Sequence, residues 1–191
     1  LIMVRKVKLD PNEQKTLYFA YGYLPEDQDL DSLISKYEQN IQTLFEQSCE
    51  KWKKNRIELK IPNMEWVDRE LHWHYYYLRG AMTYDSFFME HILSQGHVYQ
   101  YIIGFQGAAR DPLQHVLPFL LCDSRIVKEI IRYTLKEVQE DGEIPYGITG
   151  NGMIAPSPWK PSDLELWLLW VASEYVLSTR DTDCLLYTSP S

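Results

Sequence analysis

Several features that define common protein classes are scarce in these 191 residues. There are only three cysteines, at positions 49, 122 and 184, and they lack metal-ligand spacing. The sequence therefore predicts reduced thiols in a cytoplasmic protein rather than a zinc site or a disulfide scaffold. No apolar run is long enough to span a membrane. The apolar segment among the first residues is too short for a signal peptide.

Positive charge is scarce as well. The 27 acidic residues outnumber the 19 basic ones, which gives a net charge of -8 and no basic stripe. This balance argues against nucleic-acid binding. A G-x-S-x-G motif is missing, and neither Cys49 nor Cys122 has a recognisable catalytic partner, so nothing supports a serine or cysteine nucleophile. What the chain has in quantity is tyrosine (14) and tryptophan (6), whose rings suit sugars as well as ordinary cores and interfaces.

The most informative stretch is residues 104–115, which read G-F-Q-G-A-A-R-D-P-L-Q-H. Its small residues allow a close backbone approach. Pro112 suits the first turn of a helix, with Asp111 as the N-cap. Arg110, Asp111, Gln114 and Gln106 would then present donors and acceptors where the helix begins. The stretch predicts either a ligand-binding loop or a structural Arg–Asp pair at a helix start.

Apolar periodicity predicts a mainly α fold that follows a short β segment. Alternating residues predict strands at 3–9 and 16–23, which would form a hairpin at the end of a β-domain. No sheet alternation is expected from residue 24 onward. The predicted helices cover 29–54, 64–82, 112–121, 123–140 and 162–179.

Local signals also predict where the later helices begin and end. Asp123 or Ser124 would cap the helix at 123–140, and Asp141-Gly142 would end it. Ser162 and Glu165 have the spacing of a capping box for the last helix.

The loop at 143–161 is rich in Gly, Pro and Asn, and a loop of this length is usually functional. We expect it to meet residues 100–114 and 159–165 at one end of the helical hairpins, with Tyr146 and Trp159 facing a ligand. Glycoside cleavage needs a carboxylic acid near the leaving oxygen. Asp163 is the candidate, and its alternative role is a carboxylate favoured by the helix dipole. Asp141, Glu143 and Glu165 are reserve candidates for the acid.

These segments carry a family resemblance. Residues 104–115 resemble the G-F-R-D-x-x-Q-D segment of glycoside hydrolase family 94. Asp141-Gly142 and S-D-L-E-L-W-L at 162–168 resemble that family's later D-G and S-D-D-x-L-W-L segments. The resemblance implies the last strands of a β-sandwich at 1–23, a helical linker at 24–62 and the start of an (α/α)6 barrel at 63–183. It also implies that Arg110, Asp111 and Gln114 contact the sugar and that Asp163 donates the proton.

The activity implied by the resemblance is that of an inverting glycoside phosphorylase, which cleaves a β-glucoside with inorganic phosphate as co-substrate. No other cofactor and no metal would be needed. The implied partners are an oligosaccharide and, at full length, a second copy of the chain. His115 and Leu164 stand where the family has Asp, which leaves two alternatives open. One is an inverting hydrolase of the amylo-1,6-glucosidase type, and the other is a non-catalytic carbohydrate-binding helical module.

The last eight residues, C-L-L-Y-T-S-P-S at 184–191, resemble a translated sequencing adapter. We expect this tail to be non-native and to be left out of fold reasoning. The natural chain would then continue beyond about Asp183, and the fragment would be inactive because half or more of the barrel is missing.

Overall fold

The computed structural model describes residues 2–22, 24, 28–93, 105–155, 157 and 160–183, apart from the side chains of residue 55 and residues 105–107. The described residues are mainly helical, with few strands, which confirms the prediction of a mainly α protein. The chain divides into two units, residues 1–55 and 56–191. In the described part of the chain, no helix has the length and apolarity to cross a membrane.

In the first unit, residues 2–22 are exposed and contain a turn at 11–12, but no strand. The strands predicted at 3–9 and 16–23 are therefore not formed in these described residues. The physical reason is that an isolated two-stranded hairpin is only marginally stable in water. No further strand is described in this unit that could pair with it. The β-sandwich implied by the family resemblance stays a prediction.

The single helix predicted at 29–54 is two helices, α1 (Leu30–Asn40) and α2 (Leu44–Asn55). Asp29 caps α1, because its Oδ2 accepts a hydrogen bond from the backbone N–H of Ser32 at 2.8 Å. Thr43 marks the break between the helices. Its N–H and hydroxyl both donate to the carbonyl of Asn40, at 2.9 and 3.1 Å, and its backbone carbonyl accepts from the N–H of Gln47.

The second unit holds most of the regular structure. Its helices are α3 (Glu65–Gly80), α4 (Arg110–Val116), a 3₁₀ helix (Leu117–Leu121), α5 (Ser124–Glu137) and α6 (Leu164–Thr179). Its described strands form two antiparallel pairs, β1 (Met82–Asp85) with β2 (Glu90–Leu93), and β3 (Phe105–Ala108) with β4 (Gly147–Thr149). The expectation of no sheet after residue 24 is therefore wrong. Strands of three or four residues are too short to show a clear alternation.

The helix predicted at 112–121 begins earlier and changes form. It starts at Arg110, with Ala109 before it, so Asp111 is not the N-cap. Pro112 lies in the first turn of the helix. A backbone N–H at this position would have no helical acceptor, so proline loses no hydrogen bond here. The chain tightens to a 3₁₀ helix from Leu117. Pro118 supplies the reason, because it has no N–H to donate to the carbonyl four residues earlier.

The predicted N-cap of α5 uses its side chain elsewhere. Asp123 stands at the N-cap of α5 but accepts hydrogen bonds from Arg79 at 3.2 Å and Arg125 at 3.1 Å rather than capping the backbone. Burial opposes ionisation of Asp123, but the two arginines outweigh it and lower its pKa. The helix ends at Glu137, three residues before the predicted end.

The capping box predicted for the last helix is wrong. Asp163, not Ser162, occupies the N-cap of α6, and Glu165 accepts a hydrogen bond from the backbone N–H of Ile144 at 3.2 Å. The predicted end of this helix at Thr179 is confirmed.

The core of the second unit lies where α4, α5 and α6 pack with β2. The residues of α5 that face it recur at helical spacing, which explains why one whole side of the helix is buried. By contrast, α6 is apolar on more than one side, and Leu166, Leu169 and Leu177 on it remain exposed. The buried core residues are Ile92, Leu93, Leu113, Val116, Phe119, Ile126, Val127, Ile130, Ile131, Tyr133, Ile148, Val171 and Tyr175.

Two carboxyl groups are buried beside this core. Asp85, at the end of β1, accepts hydrogen bonds from the N–H groups of Phe87 and Phe88 and from the hydroxyl of Tyr133. Glu137, the last residue of α5, is 2% exposed, and neither of its oxygens has a hydrogen-bond partner among the described residues. Burial, and then the charge of Asp85, raise the pKa of the Glu137 carboxyl well above its ordinary value.

Replacing Leu113 with Ala should lower the free energy of unfolding by about 2–5 kcal/mol, because its side chain is fully buried in the core. Leu121→Ala is the matched control, since Leu121 is 84% exposed, and it should change stability by no more than about 0.5 kcal/mol. Urea unfolding measures both values. Equal losses in the two variants would contradict the packing described for α4.

The raised pKa of Glu137 predicts a pH dependence of stability. The folded chain keeps this proton at pH values where the unfolded chain, with a glutamate pKa of about 4.3, has lost it. Glu137 therefore makes the unfolding free energy fall as pH rises from about 4.3 through the raised folded value. For Glu137→Gln, the free energy of unfolding measured between pH 4 and 8 should not show this decrease with rising pH. Glu140→Gln, at an exposed position on the same segment, should keep the wild-type slope.

Candidate functional site

Three segments meet at the N-terminal ends of α4 and α6. A small apolar cluster of Ala109, Ile144 and Leu164 holds them together, and all three residues are almost fully buried. Each one anchors a predicted site residue. Ala109 precedes Arg110, Leu164 follows Asp163, and Ile144 lies two residues before Tyr146. Burial of the cluster thus fixes the backbone from which the polar side chains project.

Arg110 and Asp163 form an ion pair across 53 positions of sequence, with Nη1 of Arg110 3.1 Å from Oδ2 of Asp163. The indole Nε1 of Trp167, one turn along α6, donates to the same oxygen at 3.3 Å. Both contacts use Oδ2 and neither uses Oδ1. The two charged side chains are about 40% exposed (43% and 38%), so the pair contributes only about 0–1 kcal/mol to stability.

A shallow depression lies beside this pair. Its lining residues are Ala108, Arg110, Asp111, Tyr146, Pro161 and Leu164. Its cavity volume is about 20 Å³, which is room for about one water molecule. The described residues therefore form a shallow wall rather than a closed pocket that could hold a sugar ring.

The wall brings together four of the seven predicted site residues: Arg110, Asp111, Tyr146 and Asp163. Gln114 lies about one turn further along α4 and does not line the depression. The side chain of Gln106, which sits at the irregularity in β3, and the whole of Trp159 lie outside the described residues.

Two residues of α6 contribute in ways that the sequence motifs did not predict. Trp167 contacts Asp163, and Glu165 fixes the backbone at Ile144, which holds the loop that carries Tyr146. The four-residue spacing of Asp163 and Trp167 on a helix was a usable signal, since such residues lie on one face. The contact of Glu165 had no sequence signal, because its partner lies 21 positions away.

A second ion pair lies close in sequence to this wall. Nζ of Lys160 is 2.8 Å from Oε2 of Glu143, one of the reserve candidates for an acid. Its hydrogen bond and charge raise the pKa of Lys160. Glu143 thus serves as the partner of an exposed cation.

No group of three or more His, Cys, Asp or Glu side chains that could hold a metal ion occurs in the described part of the chain. Comparisons of the chain with protein-family models, with curated proteins and with solved structures found no match. The resemblance to glycoside hydrolase family 94 therefore stays a prediction.

Glu165→Ala should destabilise the second unit by about 1 kcal/mol, because the partly buried N–H of Ile144 loses its acceptor. Glu165→Gln keeps an oxygen at the same position and should restore most of that loss. Urea unfolding of the two variants gives the comparison. If both variants lose the same stability, the hydrogen bond does not hold the loop.

Proposed function

We propose that the chain is part of a carbohydrate-active enzyme, an inverting glycoside phosphorylase that releases a sugar 1-phosphate from a β-glucoside. The observation that supports this most directly is the ion pair of Arg110 with Asp163, beside Asp111 and Tyr146 on the same wall. The proposed setting is an (α/α)6 barrel, of which residues 63–183 form the beginning, after a sandwich remnant at 1–23 and a linker at 24–62. The finer architecture, the cytoplasmic location and a full-length homodimer are proposals of the same kind.

Each wall residue has a distinct role in this proposal. Asp163 is the proton donor to the leaving oxygen, through Oδ1, since Oδ2 already accepts from Arg110 and Trp167. Arg110 orients that carboxyl group and can also donate to a sugar hydroxyl. Asp111 accepts from sugar hydroxyls, and the ring of Tyr146 contacts an apolar face of the sugar. Inorganic phosphate is the nucleophile, so no second protein carboxylate is needed.

The two alternative functions, a hydrolase and a non-catalytic binding module, require other structural features than a phosphorylase does. A hydrolase on the same scaffold needs a second carboxylate that activates water, about 6.5–9.5 Å from the acid. A non-catalytic binding module would be favoured if Asp111, Asp163 and the 143–151 loop lay far apart. Asp111 and Tyr146 instead share one depression with Arg110, which pairs with Asp163. This proximity supports a reacting site over a binding module.

Asp163→Asn in the intact gene product should lower turnover of a β-gluco-oligosaccharide by about 10²–10⁴-fold, because general acid catalysis is lost. Glu174→Gln is the matched control, since Glu174 also accepts from a tryptophan indole on α6, that of Trp170 at 3.2 Å. It should leave turnover unchanged. Near-normal turnover by Asp163→Asn would exclude Asp163 as the proton donor.

Product analysis separates the two enzymatic candidates. The phosphorylase should release sugar 1-phosphate only when inorganic phosphate is present, because phosphate is the attacking group. Release of free sugar at the same rate without phosphate would identify the hydrolase. Oligosaccharide binding without either product would support the binding module.

A further inference from the structure

The buried carboxyl of Glu137 has no role in the proposed reaction. It lies at the C-terminal end of α5, and neither oxygen finds a hydrogen-bond donor among the described residues. A carboxylate buried without a partner is strongly unfavourable, whereas a neutral carboxylic acid costs much less. The geometry therefore favours a protonated Glu137 in the packed state.

Among the described residues, no basic side chain forms a hydrogen bond with the Glu137 carboxyl. Asp85 on β1 and Tyr133 on its own helix interact electrostatically with Glu137. Neighbouring basic side chains contact other acids: Arg132 and Lys136 contact Glu90, and Lys128 contacts Asp181. Among the described residues, the other titratable groups on elements packed against α5 are not hydrogen-bond partners of Glu137. These groups are His91 on β2, Arg110, Asp111 and His115 on α4, and Glu165, Glu174 and Tyr175 on α6.

Asp85 holds the turn that joins β1 to β2. Its Oδ1 accepts from the N–H groups of Phe87 at 2.8 Å and Phe88 at 3.1 Å, and its Oδ2 accepts from Tyr133 at 3.1 Å. A negative charge on Glu137 would repel Asp85, whose charge acts on Glu137. Both side chains are buried, where charges are poorly screened. The repulsion would act directly on the group that holds the turn.

The turn touches the loop that follows β4. The ring of Phe87 lies against Gly152, so closely that a Cβ at Gly152 would collide with it. Gly152 also has a positive φ of 76°, which other residues rarely adopt. Hydrogen bonds from Thr149 to Met153 and from Ala155 to Gly147 fold this loop back along β4. Tyr146, which lines the candidate site, directly precedes β4.

We propose that Glu137 is a proton-dependent latch, which holds the β1–β2 turn against Gly152 when protonated and releases it when ionised. Release frees the loop at 149–155 and, through β4, changes the position of Tyr146 at the candidate site. The latch works on the loop whatever ligand the site takes, so it does not rest on the proposed reaction.

Amide chemical shifts followed by NMR across pH 4–9 test the latch in the chain itself. The amides of Phe87, Phe88 and Gly152 should titrate with one common midpoint in the wild type. Glu137→Gln, which cannot ionise, should abolish that transition, while Glu140→Gln at the exposed control position should leave it unchanged. An unchanged transition in Glu137→Gln would overturn the proposal.

Asp85→Asn gives a second test should Glu137→Gln not fold. The amide oxygen can still accept from the turn, but the negative charge that opposes ionisation of Glu137 is gone. The common midpoint should therefore move to lower pH. A midpoint that does not move, a transition at Phe87 without one at Gly152, or a transition that spreads over all of α5 and α6 would each overturn the latch.

Discussion

The second unit depends on the burial of one whole side of α5. That side meets β2, α4 and α6, and it supplies five of the thirteen buried core residues, more than any other element. At roughly 25 cal/mol for each Å² of apolar surface removed from water, packing of this kind outweighs any single polar contact in the structure. The polar groups are therefore placed by the packing and do little to cause it.

The candidate site is an example of polar groups that are positioned by apolar packing. Its ion pair is partly exposed and weak, but the residues beside it in sequence, Ala109, Ile144 and Leu164, are buried. Small changes in that apolar cluster would displace Arg110 and Asp163 more effectively than changes to solvent-exposed groups around them. Small side chains before Arg110 are thus explained by packing, whether or not the backbone there also approaches a ligand.

The sequence pattern predicted those structural features that depend on local apolar periodicity. The existence of α3 and α6 and the mainly α class follow from apolar spacing, and these predictions are confirmed. The helix predicted at 64–82 ends at Gly80, because Met82 begins β1. The wrong cap predictions concern side chains whose hydrogen-bond partners lie far away in the sequence. Asp123 bonds Arg79 and Glu165 bonds Ile144, so neither side chain caps its own helix. The short strand pairs were missed for a related reason, because three or four residues carry too little pattern.

For the site, sequence reasoning brought Arg110, Asp111, Tyr146 and Asp163 to one end of the helical hairpins, where the structure has them. It did not predict that Trp167 and Arg110 share one oxygen of Asp163, since that depends on the rotation of α6 about its axis. Nor did it predict Glu137 as an unpartnered buried acid, because burial of a polar residue at a helix end has no local signature.

The ion pair between Arg110 and Asp163 joins residues 53 positions apart. Closing a flexible loop of that length costs about 3.5 kcal/mol by the logarithmic estimate, several times what a partly exposed ion pair returns. The pair cannot by itself bring its two ends together, so it depends on the packing of α4 and α6 with α5. The free energy that holds the site therefore comes from the core, and the ion pair is a consequence of that packing.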